Sequence, residues 1–350
     1  MVRRRRNDSL KGGGLVEREV RSVVPDRMKG AFDGIVNQEI LGASKHIALI
    51  GDMIASIAEE GAGKGYSSRQ MVDDVKTVAR YFIATRGEAS QAVSNAIHLM
   101  IRGIDDCAEC VPGEAARRII EQKDAYAVEA ATATERCVAY ATKLASDMTR
   151  LFVYDYSSTV DRFLTRVAQD GQKREVVIPE SRIIDGGKPF VATCLDCGYD
   201  VTFIPEAAMM DAARGCDAAF MGAETFYPDG TGFNTTGSDV VALICEHYGI
   251  PLYFITPMIK LDMRPVYGGS KRLVFDDLRD KMTSTWDAGL DASKVHFVVP
   301  ELIGVPASRI RAFITELGII PSGQLFDCSM RYSAYLNGEG ECAGGEKAIA

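Results

Sequence analysis

The residues of this chain that could act on an anion fall in a few short stretches. Glu180-Ser181-Arg182 sets a carboxylate, a hydroxyl and a guanidinium side by side. The planar arginine fork can grip a phosphate through paired N–H donors, although the same triplet would also serve as a local salt bridge. Met221-Gly222-Ala223-Glu224 is followed by GTGFNTTGS at residues 230–238. Its glycines let the backbone approach a ligand, and Asn234, Thr235, Thr236 and Ser238 supply helix caps or donors to phosphate oxygens. In isolation this is an ordinary capped strand-to-helix loop. Leu41-Gly42-Ala43-Ser44 offers small residues, and Thr85-Arg86-Gly87 offers a cation. His46, His98, His247 and His296 have no metal-ligand spacing, so core or surface roles are expected of them. Cys107 with Cys110 and Cys194 with Cys197 have the spacing of zinc ligands. The second pair falls within a predicted helix, where two small buried residues are the simpler reading, and no metal or cofactor is expected.

The elements that would position these groups differ between the two halves. Beyond residue 150, short apolar runs at 151–154, 176–178, 201–204, 218–221, 252–255 and 295–299 are separated by helix-length segments, among them 159–168, 189–197, 207–214 and 238–248. This is the texture of βαβ units around a parallel sheet, here of six buried strands. Right-handed crossovers bring every strand's carboxyl end to one edge, where ligands meet helix amino termini with free N–H groups. Four loops are thereby nominated. They hold Asp155, Tyr156, Ser157 and Ser158; Glu180, Ser181 and Arg182; residues 222–238; and residues 256–262, which include Lys260. Residues 15–146 instead show apolar positions at helical spacing, as in Ile47, Ile50, Met53, Ile54 and Ile57, with breaks near 60–66 and 110–114. The expected organisation is a basic arm (1–14), a helical domain (15–146), a Rossmann-like doubly wound α/β domain (147–336) and a flexible tail (337–350).

Composition excludes several classes. Of 350 residues 47% are hydrophobic and 25% charged, a balance that can bury a sizeable core. No apolar run approaches the roughly 18 residues of a membrane span. Arg3 to Arg6 and Gly12 to Gly14 lack the apolar stretch of a signal peptide, and nine cysteines without a secretion signal are expected as free thiols in the cytoplasm. The net charge of −8 argues against a general affinity for nucleic acid outside the arginine arm.

Taken in order, the stretches resemble a known family. They are VIPESR at 177–182, CDAAFMGAE at 216–224, FNTTGS at 233–238, IPLYFITPMIKLD at 250–262 and VPASRIRAFITELGIIPS at 305–322, with GAS at 42–44 and TRGEASQAVSNAI at 85–97 as weaker echoes. Together they are similar to the family uniting the alpha, beta and delta subunits of translation initiation factor 2B with methylthioribose-1-phosphate isomerase and ribose-1,5-bisphosphate isomerase. The resemblance spans nearly the whole chain between the tails. It implies a helical domain on a Rossmann-like domain, a sugar phosphate as ligand, a ligand-binding role for Arg86, and homodimers or larger homo-oligomers.

The resemblance also exposes departures. Family isomerases carry a cysteine in the loop where this chain has Val153-Tyr154-Asp155-Tyr156-Ser157, an aspartate where it has Glu224, and a lysine where it has Thr235. Converting an aldose to a ketose needs one group to protonate the ring or carbonyl oxygen and another to move a proton between adjacent carbons. Two carboxylates in a dry cleft can divide that work, and Asp155 and Glu224 are the expected pair. The alternative is a noncatalytic factor-like subunit, in which both carboxylates only bind sugar hydroxyls.

Overall fold

A computed structural model describes residues 17–339 apart from Leu41, Arg272 and Ala288. The proposed arm (1–14) and residues 340–350 of the proposed tail lie outside it. The chain divides into two compact units after Glu129, and the helix Pro112–Leu144 runs across that division.

In the first unit the helices Asp26–Val36, Ala43–Gly63, Ser68–Phe82 and Gln91–Met100 follow from the 3.6-residue spacing of their apolar positions. Ile50, Met53, Ile54 and Ile57 of the second are buried, while Ile47 is only half-buried. Ser67 caps the third, its Oγ accepting the Gln70 N–H at 3.2 Å. That helix passes directly into a π-turn, Ile83–Gly87.

The second unit contains twelve described strands. They are β1 (Arg150–Val153), β2 (Glu175–Pro179), β3 (Asp200–Ile204), β4 (Ala218–Met221), β5 (Thr225–Phe226), β6 (Gly232–Thr235), β7 (Leu252–Ile255), β8 (Phe275–Asp277), β9 (Val298–Pro300), β10 (Leu302–Val305), β11 (Ala312–Thr315) and β12 (Gly318–Pro321). The main sheet has the order β12-β11-β7-β4-β1-β2-β3. All its pairings are parallel except β11 with β12, which form a hairpin.

Alternation along each strand serves two cores. Leu151, Val153, Ala218, Phe220 and Ile314 face one layer with Phe163, Leu164 and Phe190. Phe152, Tyr154, Ala219, Met221 and Phe313 face the other with Val241, Ala242 and Leu325. Burial on both faces explains why these strands read as continuous apolar runs.

Five of the six expected strands lie in this sheet. The sixth does not: within residues 295–299 only Val298 and Val299 are extended, and they belong to β9, which pairs antiparallel with β8 in a separate two-stranded sheet. Val298 is 58% exposed, and the buried Phe297 packs on the Trp286 ring (5.7 Å) and under the Arg279 guanidinium, outside the two cores of the main sheet. Its place is taken by β11, whose Phe313 and Ile314 are fully buried, and by β12. The loop expected at 222–238 also holds strands, since β5, β6 and β10 form a small antiparallel sheet.

Phe220 stands in β4 with its ring 4.8 Å from that of Phe163 and 5.5 Å from that of Tyr253. Phe220→Ala is expected to cost about 3–5 kcal/mol, read as a lower urea midpoint with an unchanged slope.

Candidate functional site

The order of the main sheet reverses between β1 and β4. After β3 at one edge the chain returns beside β1 as β4 and continues outward in the other direction. At such a point the connections leave toward opposite faces and open a crevice beyond the strand ends. Asp155 follows β1 there, and Gly222, Ala223 and Glu224 follow β4. The register of Val153 against Phe220 sets these two segments side by side.

Asp155 is 4% exposed. Its Oδ1 accepts the Ser181 hydroxyl at 2.9 Å and its Oδ2 the Thr235 hydroxyl at 2.8 Å, which brings together three of the residues nominated from sequence. Burial pushes the carboxyl above its ordinary value, against the opposing pull of Thr235, Ser181 and the Tyr156 N–H. The backbone is held in the left-handed region at Asp155 (φ 60°), Ser181 (φ 47°) and Asp185 (φ 54°). Such conformations cost about 1–3 kcal/mol each unless their surroundings enforce them, and they gather at functional sites. Gly186 lies against Asp155 so closely that a Cβ would sit 1.9 Å from Oδ1.

Two side chains not among the predicted site residues complete this floor. Tyr154 is fully buried and donates its hydroxyl to the Thr236 carbonyl at 2.9 Å. A Cβ at Gly237 (φ 104°) would lie 2.0 Å from that hydroxyl oxygen, so the position must be glycine on both counts. Glu206, just beyond β3, accepts the Arg182 N–H at 2.9 Å. The Arg182 guanidinium itself is exposed and has no carboxylate partner among the described residues. Glu180 is half-buried, its N–H bonded to the Ile204 carbonyl at 2.8 Å. Tyr156 is 43% exposed with its ring 5.3 Å from that of Phe190. Ser157 precedes the helix Ser158–Val167, whose first residues, Ser158 included, face the same edge.

At the end of β4, the Glu224 N–H donates to the Phe233 carbonyl at 2.8 Å, which fixes it to the small sheet. Asn234 is buried and donates to the Ser238 hydroxyl at 3.1 Å; that hydroxyl donates in turn to the Thr235 carbonyl at 2.8 Å. Asn234 and Ser238 therefore shape the loop that carries Thr235. Lys260 donates from Nζ to the Ala223 carbonyl at 2.5 Å. Below it, the wholly buried Asp262 is neutralised by Arg264, with Nη2 2.7 Å from Oδ2. Lys271 was not anticipated from sequence. Burial lowers its ammonium below the ordinary value, and the Glu224 carboxylate pulls it back.

The remaining nominated residues belong to the first unit. Gly42 (φ 97°) precedes the helix Ala43–Gly63, with Ala43 half-buried and Ser44 exposed. Arg86 stands in the π-turn, an irregularity common at functional positions. Its Nη2 donates to the Val36 carbonyl at 2.8 Å, at the carboxyl end of Asp26–Val36. Its buried Nε has no hydrogen-bond partner among the described residues. Burial lowers the guanidinium below its ordinary value.

Tyr154 was read only as part of a strand and its loop, and Gly186, Glu206 and Lys271 escaped the sequence reading for a common reason. None stands in a pattern of types, and each acquires meaning only from what lies across the sheet edge. The family stretch VIPESR was the one available pointer toward Gly186, four residues downstream of it.

Comparison with known proteins agrees with this architecture. The chain is 22% identical over 313 residues to the ribose 1,5-bisphosphate isomerase of Methanocaldococcus jannaschii, covering 89% of this chain and 97% of that protein. The structure of 5-methylthioribose 1-phosphate isomerase from Pyrococcus horikoshii OT3 superposes with a TM-score of 0.69 at 18% identity, over 89% of this chain and 88% of the other. That of translation initiation factor eIF-2B from the same organism gives 0.66 at 19% identity, over 85% and 98%. At these identities the two structural likenesses speak for the fold. Residues 49–322, most of the chain, match the model of one family, and the chain with its reversal between β1 and β4 belongs to the initiation factor 2 subunit family.

Proposed function

We propose that this protein isomerises a phosphorylated pentose or related sugar from aldose to ketose, with Asp155 as the acid and Glu224 as the base. The observation that carries this is the buried Asp155 carboxyl at the reversal of the sheet, held in a left-handed backbone and raised above its ordinary value. A carboxyl whose proton affinity is raised by burial is suited to give a proton to the ring or carbonyl oxygen. Glu224, at the end of the adjacent strand β4, is the proposed acceptor of the proton that moves between carbons. Likeness to a ribose 1,5-bisphosphate isomerase along nearly its full length supports the substrate class. Arg86 and Arg182 are the proposed phosphate ligands, with Gly42, Ala43, Ser44, Tyr156, Ser157, Ser158, Glu180, Ser181, Asn234, Thr235 and Lys260 as further binding positions. A single fact favours the rival reading, a binding subunit without turnover: both Asp155 oxygens already accept protein hydroxyls.

Pentose bisphosphates and monophosphates should therefore raise the melting temperature, as a ligand bound only by the folded state must. At 100 times its dissociation constant the gain is about 2.7 kcal/mol. A flat response to all of them at millimolar concentration rejects the ligand class.

Asp155→Asn and Glu224→Gln are expected to abolish isomer formation while leaving calorimetric affinity nearly unchanged, because an amide keeps the shape but cannot carry the proton. Weakened affinity by about 1.5–3 kcal/mol in a wild type without turnover favours the binding subunit. Asp155→Asn has a second readout. A carboxyl raised in the folded state favours folding only while protonated, and that contribution is lost as pH rises through the folded value. At neutral pH the amide should therefore melt no lower than wild type, its advantage shrinking toward acid pH. A clear destabilisation at pH 7 would mean that the charge itself is structural.

The homo-oligomer implied by the family is a further part of the proposal. Light scattering at micromolar concentration should give at least twice the chain mass of 38.0 kDa, and a monomer would reject it.

A further inference from the structure

We propose that Cys107 and Cys110 form a redox-active dithiol, closing to a disulfide by exchange with low-molecular-weight disulfides, with Cys110 as the attacking thiol. The 3₁₀ turn Ile104–Glu109 ends on a bond from the Cys110 N–H to the Cys107 carbonyl at 3.1 Å. A turn closed from i to i+3 holds its end Cα atoms within about 7 Å, and disulfides form between Cα atoms about 4.4–6.8 Å apart. The pair is free in this structure, with Cys107 buried and Cys110 half-buried.

Three contacts distinguish the two sulfurs. Arg118 donates from Nη1 to Cys110 Sγ at 3.1 Å, and the thiol lies 3.6 Å from the Asp106 carbonyl, to which it can donate its own hydrogen. The Ser68 hydroxyl donates to the Cys110 carbonyl at 2.6 Å and fixes the segment. Cys110 also precedes the amino end of the 33-residue helix Pro112–Leu144. At Cys107, burial pushes the thiol above its ordinary value, against the pull of Arg118. An accessible thiol beside a cation and a buried neighbour are the attributes of an attacking and a resolving cysteine.

The chain contains its own comparison. Cys194 and Cys197 have the same spacing, but they sit at the end of the helix Lys188–Asp196. Burial raises both, Cys194 to about 12. Neither accepts a hydrogen bond from a guanidinium among the described contacts.

The exchange balances without a further oxidant. The Cys110 thiolate attacks one sulfur of glutathione disulfide and expels glutathione thiolate, leaving a mixed disulfide. Cys107 then gives up its proton and attacks Cys110 Sγ, expelling the second glutathione. Two electrons pass from the protein thiols to glutathione disulfide, and their two protons end on the two glutathione thiols.

The test uses the full chain equilibrated with mixtures of glutathione disulfide and glutathione, quenched by alkylation and mapped by peptide mass spectrometry. The expected result is a Cys107–Cys110 disulfide while Cys194 and Cys197 remain alkylated as thiols. In Cys107→Ser, Cys110 should accumulate as the glutathione mixed disulfide. Arg118→Ala should slow modification of Cys110 in that background about three- to tenfold, with Arg118→Lys restoring most of the rate and melting temperatures showing that the variants are folded. The proposal is overturned if no Cys107–Cys110 bond forms even in glutathione disulfide alone, or if Cys110 in Cys107→Ser reacts no faster than Cys197. A folded Arg118→Ala that reacts at the parent rate removes the assigned role of the guanidinium. Should Arg118→Ala not fold, the Cys107→Ser result decides alone.

Discussion

One buried carboxylate organises the carboxyl edge of the second unit. Asp155 stands where the sheet reverses, and removing a charged group from water is costly unless donors replace the lost hydration. Here Ser181 comes from the end of β2 and Thr235 from β6, so meeting the needs of one side chain draws three separate chain segments together. Gly186 then closes over the carboxyl because nothing larger fits. A buried carboxyl held in this way also has its own acid–base character. The donors keep the group from being forbidden, while its burial holds the proton affinity above that of a solvated carboxyl.

The rest of the edge is arranged around that centre by backbone pairing more than by side chains. Glu224 is held by its N–H on β6, Lys260 by the carbonyl of Ala223, and Glu206 accepts from the backbone of Arg182. Glu224 and Arg182 are held through their main-chain N–H groups, while Lys260 commits Nζ and Glu206 a carboxylate oxygen to a main-chain partner. The Arg182 guanidinium is exposed, with no carboxylate partner among the described residues. The ion pair of Asp262 with Arg264 has a different part: it anchors the loop after β7 beneath β5, through the Asp262 N–H on the Phe226 carbonyl at 2.9 Å.

The helical unit carries its own polar singularities on a scaffold of ordinary apolar packing. Arg86 sits on a π-turn, where the widened backbone changes the direction of a side chain that a regular α-helix would aim elsewhere. Its Nη2 tethers one end of the fork to the carboxyl end of a neighbouring helix, an arrangement the helix dipole favours, and its Nε has no acceptor among the described residues. Cys110 is likewise defined by a guanidinium and a helix end. In both cases a local departure from α-helix, at 83–87 and at 104–109, gives a common residue an uncommon setting.

Periodicity alone was enough to determine the class of each half. Strands buried on both faces and helices with one apolar stripe leave different marks in a linear chain, and those marks located five strands of the main sheet. Motifs carried the family and, through the rule that ligands meet the carboxyl ends of strands, nominated the loops of the candidate site. Tertiary structure alone decided where 295–299 would go, because an apolar run specifies burial and not a partner; β11 and β12 took the place expected for it. It also decided that Asp155 meets Ser181 and Thr235, 26 and 80 residues away. Contacts of that range depend on the order in which strands enter the sheet, and neither the alternation nor the spacing of residues encodes that order directly.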